Sequence, residues 1–277
     1  MKKNDRLNNK SFHRRTRQFG VPPNHVQALA PPHSDETLDA LFGGKLKLYQ
    51  GRRGYRFSLD SILLSHFATI RPGEKLMDLG TGNGVIPVIL AHLHPATSIT
   101  GLEIQRPMTN RAARNIRLNG YENRVTVTCM DVSAAMDHFM PESFDVVICN
   151  PPYRRPNSGR VSPSSEKQIA RHEMKGTLDD FIRAAAFLLP MKGRFACIHL
   201  AGRSVDLLTA MRSAGIEPKR LKMVHSFADA GATTILVEGA KGGRSGLEVL
   251  PPLVVYDGVN AYTAQLDAML SGARRSI

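Results

Sequence analysis

The chain has 277 residues, with Lys plus Arg outnumbering Asp plus Glu 37 to 24, a net charge of +13 and three cysteines. A chain of this length buries a core without disulfide help, which excludes hormone-like and knottin-like scaffolds, and its charge calls for an acidic partner, nucleic acid ahead of an anionic membrane surface. No run reaches the ~18 apolar residues of a membrane span, and no apolar signal core follows the basic N-terminus, so a cytoplasmic location is expected. Cys129, Cys149 and Cys197 are widely spaced in apolar stretches and read as reduced, buried thiols, and His92 and His94 lack the Cys or carboxylate companions of a metal site, so no metal is expected.

Residues 1–36 are read as a basic flexible arm: within 1–33, Lys2, Lys3, Arg6, Lys10, Arg14, Arg15 and Arg17 stand against Asp5 alone, and Pro22, Pro23, Pro31 and Pro32 break any periodicity. The folded domain is expected over 37–277. KLKLYQ, GRRG and YRF read as a small β-hairpin around a Gly-bounded turn. Ser58 is placed as the N-cap of a helix carrying Asp60 in its first turn and ending near Pro72.

From Lys75 the pattern alternates. Strands are expected at 75–79, 98–104, 124–130, 144–149 and 193–200, and helices at 85–93, 108–120, 133–139, 177–189 and 204–215. Strands separated by helices imply right-handed crossovers and a parallel sheet covered on both faces. After Gly215, PKRLKMVHSF and TTILVEGA follow without a helix between them, which predicts an antiparallel finish at one sheet edge.

The first strand of that series ends in DLGTGNG. Gly80, Gly82 and Gly84 permit a tight turn and close backbone approach to a ligand, with Asp78, Thr81 and Asn83 between them. The spacing departs from GxGxxG, because Val85 occupies the third glycine position, and no GxxxxGK[ST] is present. Glu103 and Asp131 end the next two strands. Three carboxylates at one sheet edge suit a nucleoside that carries positive charge and would repel a pyrophosphate, which points to S-adenosylmethionine as cofactor.

The fourth strand, FDVVIC, runs into Asn150, Pro151, Pro152 and Tyr153. The Asn150 side-chain oxygen and the Pro151 carbonyl are two acceptors on a turn stiffened by proline, able to take both N–H bonds of a flat amine or amide nitrogen and hold it in line with a methyl donor. Tyr153 offers a ring for stacking on a planar base. A bare proline turn capping a strand is the alternative for NPPY in isolation. Arg154, Arg155 and Arg160 follow, either at the mouth of a target pocket contacting RNA or as a solvated loop. The pair His172 and Glu173 is read as structural.

Together DLGTGNG, Glu103, Asp131 and NPPY resemble class I S-adenosylmethionine-dependent methyltransferases acting on planar nitrogens. The chain is more closely similar to bacterial tRNA1(Val) adenine N6-methyltransferases, through GYRFSLDSILLSHFA (54–68), EKQIARHE (166–173) and GLEVLPPLVVYDGVNAYT (246–263). The resemblance implies a Rossmann-like α/β fold with a mostly parallel seven-stranded sheet whose last strand is an antiparallel edge. It implies Asp78 and the glycines around the methionine and ribose of the cofactor, Glu103 on the ribose hydroxyls, Asp131 at the adenine, and Asn150 to Tyr153 as the clamp on a tRNA adenine. NPPY also occurs in enzymes that methylate protein glutamine or DNA adenine, so a release-factor glutamine or a base in rRNA or DNA remains an alternative substrate. A non-catalytic RNA-binding module is a further alternative.

Overall fold

The computed structural model of the chain describes residues 31–53, 56, 58–152, 176–258 and 261–272. The arm expected over 1–36 therefore lies almost wholly outside the described residues, as do Tyr153, Arg154, Arg155, Arg160, His172 and Glu173. The described residues from 32 onward form one compact unit.

The hairpin is present and KLKLYQ supplies one of its strands, but the partner strand precedes it in the chain instead of following it. Strand β1 (Glu36–Leu41) pairs antiparallel with β2 (Leu46–Gly51), Glu36 facing Gly51 and Leu41 facing Leu46. The turn is Phe42 to Gly44, three successive residues with φ of 54°, 65° and 88°, instead of GRRG. ETLDAL has polar residues where a strand would alternate, so it carries little signal of its own. It is held by Glu36, which is buried and ion-paired to Arg111 at 2.8 Å and Arg114 at 2.7 Å. Burial pushes the Glu36 carboxyl up, but hydrogen bonds from the two arginines and the His33 N–H outweigh it and hold its pKa at about 2.

Helix α1 (Leu59–Phe67) follows, with Ser58 in the N-cap position but making no side-chain cap bond. Then come β3 (Lys75–Leu79), α2 (Val85–Leu93), β4 (Ser98–Glu103), α3 (Arg106–Leu118), β5 (Val125–Cys129), α4 (Ala135–His138) and β6 (Val146–Cys149). The described remainder is α5 (Leu178–Leu188), β7 (Arg194–Leu200), α6 (Ser204–Ser213), β8 (Ile216–His225), β9 (Ala232–Lys241), β10 (Glu248–Val254) and α7 (Ala264–Leu270).

These strands make one sheet of eight, ordered β10-β8-β9-β7-β6-β3-β4-β5. Two expectations need correction. The sheet has eight strands, not seven, and its antiparallel member β9 sits inside, between β7 and β8, while β10 forms the edge and runs parallel to β8. Pro251 and Pro252 hide β10 from a sequence reading. Proline cannot donate to a ladder and is tolerated on an edge strand, and the register of β10 slips between Leu250 and Leu253 around that pair.

Runs such as VVIC in β6 are apolar on both sides because both sheet faces are covered. One face buries Leu76, Ile89, Ile148 and Ile198; the other buries Met77, Leu79, Val147 and Phe195. Cys149 and Cys197 are buried partners across β6 and β7, as expected of free thiols, whereas Cys129 is exposed. Its position at the end of the edge strand β5 leaves it without a covering neighbour.

The hairpin is fixed to this sheet by two side-chain amides. Asn119 accepts the Lys47 N–H at 3.0 Å and donates to its carbonyl at 2.7 Å, and Asn115, one turn earlier on α3, does the same for Tyr49 at 2.6 and 3.1 Å. One helical step of four residues advances about 6 Å and two strand residues about 6.7 Å, so the two amides match the free edge of β2 as a neighbouring strand would.

Candidate cofactor and target site

The crossovers reverse direction around β3, whose neighbours are β4 and β6, so the crevice above its carboxyl end is where an open α/β sheet binds ligands. Asp78 pairs in register with Gly101 of β4 on one side and Ile148 of β6 on the other. Glu103 lies two residues beyond Gly101, and Asn150 two beyond Ile148. Glu103 in turn pairs with Cys129, two residues before Asp131. Since side chains alternate along a strand, register gives Asp78, Glu103, Asp131 and Asn150 the same side of the sheet. One strand across and two residues along separate the Asp78 and Asn150 backbones by about 8 Å.

Gly80, Gly82 and Gly84 all adopt left-handed φ, at 75°, 58° and 79°. At Gly84, the cap of α2, a Cβ would also come within 3.0 Å of the Ala112 Cβ on α3, so the loop cannot carry a side chain there. The loop is stitched to β4. The Thr81 N–H donates to the Leu102 carbonyl at 2.8 Å, the Gly82 N–H to a Glu103 carboxylate oxygen at 2.9 Å, and the Gln105 N–H to the other oxygen at 2.8 Å. Burial raises the Glu103 carboxyl, and the N–H groups of Gln105, Gly82 and Ile104 oppose that rise.

Asp78 is 1% exposed and, among the described residues, neither carboxylate oxygen has a hydrogen-bond partner. Burial pushes its pKa up to about 7, the nearby Thr81 hydroxyl working against this and the Glu103 charge adding to it. Among the described residues the Thr81 hydroxyl and the amide oxygen and nitrogen of Asn83 are likewise buried without a partner. A native fold rarely leaves so many buried polar atoms unmatched in one loop, and two buried carboxyls of raised pKa on one face are the complement of a cation. These residues fit the ammonium, sulfonium and hydroxyls of S-adenosylmethionine. Asp131 is half-buried, and one of its oxygens caps the turn that follows, accepting the Ser133 N–H and hydroxyl, each at 2.9 Å.

On the target side, Asn150 is half-buried, Pro151 buried and Pro152 exposed, and Tyr153 lies outside the described residues. Beside them a cleft of about 970 Å³ opens between α5 and α6, lined among others by Thr177, Asp179, Arg183, Arg203 and Asp206; of the described residues Asn150 to Pro152 it touches Pro152. It contains none of the carboxylates at the crevice and is not the cofactor site.

Three residues that shape the crevice escaped the sequence reading. Gly101 must lack a side chain because the Thr81 side chain lies 2.9 Å from where its Cβ would be. Phe181 of α5 comes within 3.2 Å of the corresponding point on Gly80. Asn115 is fully buried and, besides Tyr49, donates to the Asn83 carbonyl at 2.9 Å, tying the hairpin to the glycine loop. A polar residue on the apolar stripe of α3, between Ala112 and Ile116, was the available signal.

The model of the methyltransferase small domain family matches residues 59–199, from α1 through β7. A tRNA1(Val) (adenine(37)-N6)-methyltransferase of Bacteroides thetaiotaomicron is 26% identical over 190 residues, covering 62% of this chain and 77% of that protein. The enzyme of the same name from Actinobacillus pleuropneumoniae serotype 7 is 29% identical over 210 residues, covering 75% and 85%. Among solved structures, a predicted O-methyltransferase from Agrobacterium tumefaciens superposes with a TM-score of 0.65 at 23% identity over 79% of this chain and 100% of its own, which supports the fold. With half the chain matched by that model, and with the cation-seeking crevice at the sheet's switch point, the chain belongs to the methyltransferase small domain family and is a class I, S-adenosylmethionine-dependent methyltransferase.

Proposed function

We propose that the chain methylates the exocyclic N6 of an adenine in tRNA, the adenine next to the anticodon of tRNA1(Val), and does so in the cytoplasm. The carrying observation is the register that gives Asn150 the same sheet face as the unpartnered Asp78 carboxylate, one strand away. The names of the relatives favour adenine as target. The charge of +13 favours RNA, and among the described residues no helix is long and apolar enough to cross a membrane.

In this reading Asp78, Thr81 and Asn83, with the turn of Gly80, Gly82 and Gly84, hold the methionine and ribose parts of the cofactor. Glu103 takes the ribose hydroxyls and Asp131 the adenine. S-adenosylmethionine supplies a methyl carbon activated by its sulfonium. Asn150 accepts one N–H of the target amine through its side-chain oxygen and the Pro151 carbonyl accepts the other. That fixes the nitrogen lone pair on the methyl and favours the tetrahedral geometry in which it leaves the ring π system. Pro151 and Pro152 keep the turn rigid, Tyr153 stacks on the base, and Arg154, Arg155 and Arg160 hold phosphates around it. The proton goes to water, because the methylated amine is strongly acidic until it is lost.

Incubation with methyl-labelled S-adenosylmethionine and, separately, bulk tRNA, DNA or protein extract, followed by complete hydrolysis, tests the proposal. Label in N6-methyladenosine from tRNA is expected. Label confined to glutamine or to DNA adenine would overturn the tRNA assignment.

A further inference from the structure

Away from the strands that carry the crevice, the described residues of the segment 246–263 build a distinct feature of the surface. Tyr256 leaves β10 and bridges back to Tyr262, their rings stacked at 5.4 Å and 21°, and Phe227, just past β8, also packs on Tyr256, tilted, at 5.4 Å and 32°. The arrangement is built into the backbone: the Tyr256 N–H donates to the Ser226 carbonyl at 2.9 Å and the Asp257 N–H to the Ala261 carbonyl at 2.9 Å. The two outer rings, Phe227 and Tyr262, remain 42% and 43% exposed.

Its place on the sheet matters. β8 and β10 run in the same direction as β6, so their carboxyl ends share the rim that carries Asn150. Through the register, Cys149 is level with Leu221, so Phe227 stands five residues higher than Asn150 and Tyr256 rises beside it. With three to four strand spacings across and about five residues along, the stack lies roughly 20–25 Å from Asn150, at the same rim of the sheet.

We infer that Phe227, Tyr256 and Tyr262 form a second RNA contact, a stacking platform for an unpaired base of the same RNA several nucleotides away from the one that is methylated. The inference rests on the reading of the substrate as RNA. An aromatic ladder with exposed outer rings takes bases without sequence preference, and RNA stem-loops are read through splayed, unpaired bases as well as through the base that reacts. Exposed Asp229 and Asp257 flank the stack. They disfavour phosphates or an anionic membrane at this spot, and leave neutral bases as the matching part of a polyanion drawn to the chain by its overall charge.

The test uses the full chain and an RNA stem-loop with 2-aminopurine in its unpaired loop. The wild type is expected to quench the fluorophore on binding. The double variant Phe227→Ala, Tyr262→Ala should bind about tenfold or more weakly and lose the quenching, with unchanged thermal midpoint, unchanged S-adenosylmethionine affinity and unchanged salt slope, since no phosphate is held there. Tyr262→Phe should keep wild-type behaviour. Equal binding and quenching by the double variant overturns the platform, and so does a change of oligomeric state in that variant, which would make the stack a protein contact. Methyl transfer is read in the same samples: adenosine labelled equally well by the double variant removes the platform and spares the proposed target. Loss of RNA binding in the double variant while label goes to protein glutamine removes the target and spares the platform.

Discussion

Glu103 and Gly82 hold one another: the carboxylate accepts the glycine N–H at 2.9 Å while its other oxygen accepts the Gln105 N–H at 2.8 Å. The carboxylate keeps acceptor capacity beyond these bonds, so the residue proposed for the ribose hydroxyls also sets the conformation of the glycine loop. Glu103→Ala should therefore weaken S-adenosylmethionine binding by more than one lost contact, at least tenfold in calorimetry, and lower the melting temperature of the cofactor-free protein. Glu103→Gln keeps one of its two acceptors and should fall between the two. Wild-type affinity in Glu103→Ala would remove the residue from the site.

Asn150 is expected to act on the other reactant. Asn150→Ala should reduce turnover about 10²–10³-fold, the scale found when one preorganised polar contact to a transition state is deleted, with S-adenosylmethionine affinity within about twofold of wild type. A fall in cofactor affinity that accounts for the lost rate would instead assign Asn150 to the donor side.

The glycine loop and NPPY are legible because their chemistry is local: Asp78 to Gly84 and Asn150 to Pro152 each lie within one turn at a strand end, and an apolar run before each announces the strand. The residues that escaped act through partners distant in the chain. Gly101 looks like a weak spot in a strand until Thr81 is laid over it at 2.9 Å, and Phe181 looks like one more core aromatic until Gly80 is found beneath it. The hairpin misassignment has the same cause, since β1 owes its place to Arg111 and Arg114 far along the chain, closing on Glu36. At β10 the local signal pointed the wrong way, because two prolines argue against a strand everywhere except at an edge.

The Asp78 carboxyl, raised by burial from 3.8 to about 7, gives the cofactor-free protein a definite pH response. Between about pH 4 and about pH 7 the folded chain binds a proton there that the unfolded chain has released, so this group's contribution to stability falls as pH rises through that window and is level above it. Glu103, also raised, contributes in the same direction. A positive ligand favours the carboxylate, so S-adenosylmethionine binding should release a proton below pH 7, and affinity should climb severalfold from about pH 5.5 to about 7. Calorimetry in buffers of different ionisation enthalpy measures that proton. Asp78→Asn should bind weakly with no such climb; an unchanged pH slope in that variant would place the titration elsewhere.

Asn115 and Asn119 make the same pair of backbone contacts to β2, but Asn115 is fully buried and its contact extends to the Asn83 carbonyl, whereas the Asn119 contacts to Lys47 are exposed. Removing a partner from a buried group costs its full desolvation, about 1–3 kcal/mol, while water can replace a partner lost at the surface. Asn115→Ala should therefore lose about 1–3 kcal/mol in urea denaturation and speed amide exchange at Tyr49. It should also loosen the glycine loop enough to weaken S-adenosylmethionine binding, whereas Asn119→Ala should lose under about 1 kcal/mol and leave cofactor affinity intact. If the two variants proved equally stable and bound cofactor equally well, the hairpin would be a passive addition to the sheet and not a support of its crevice.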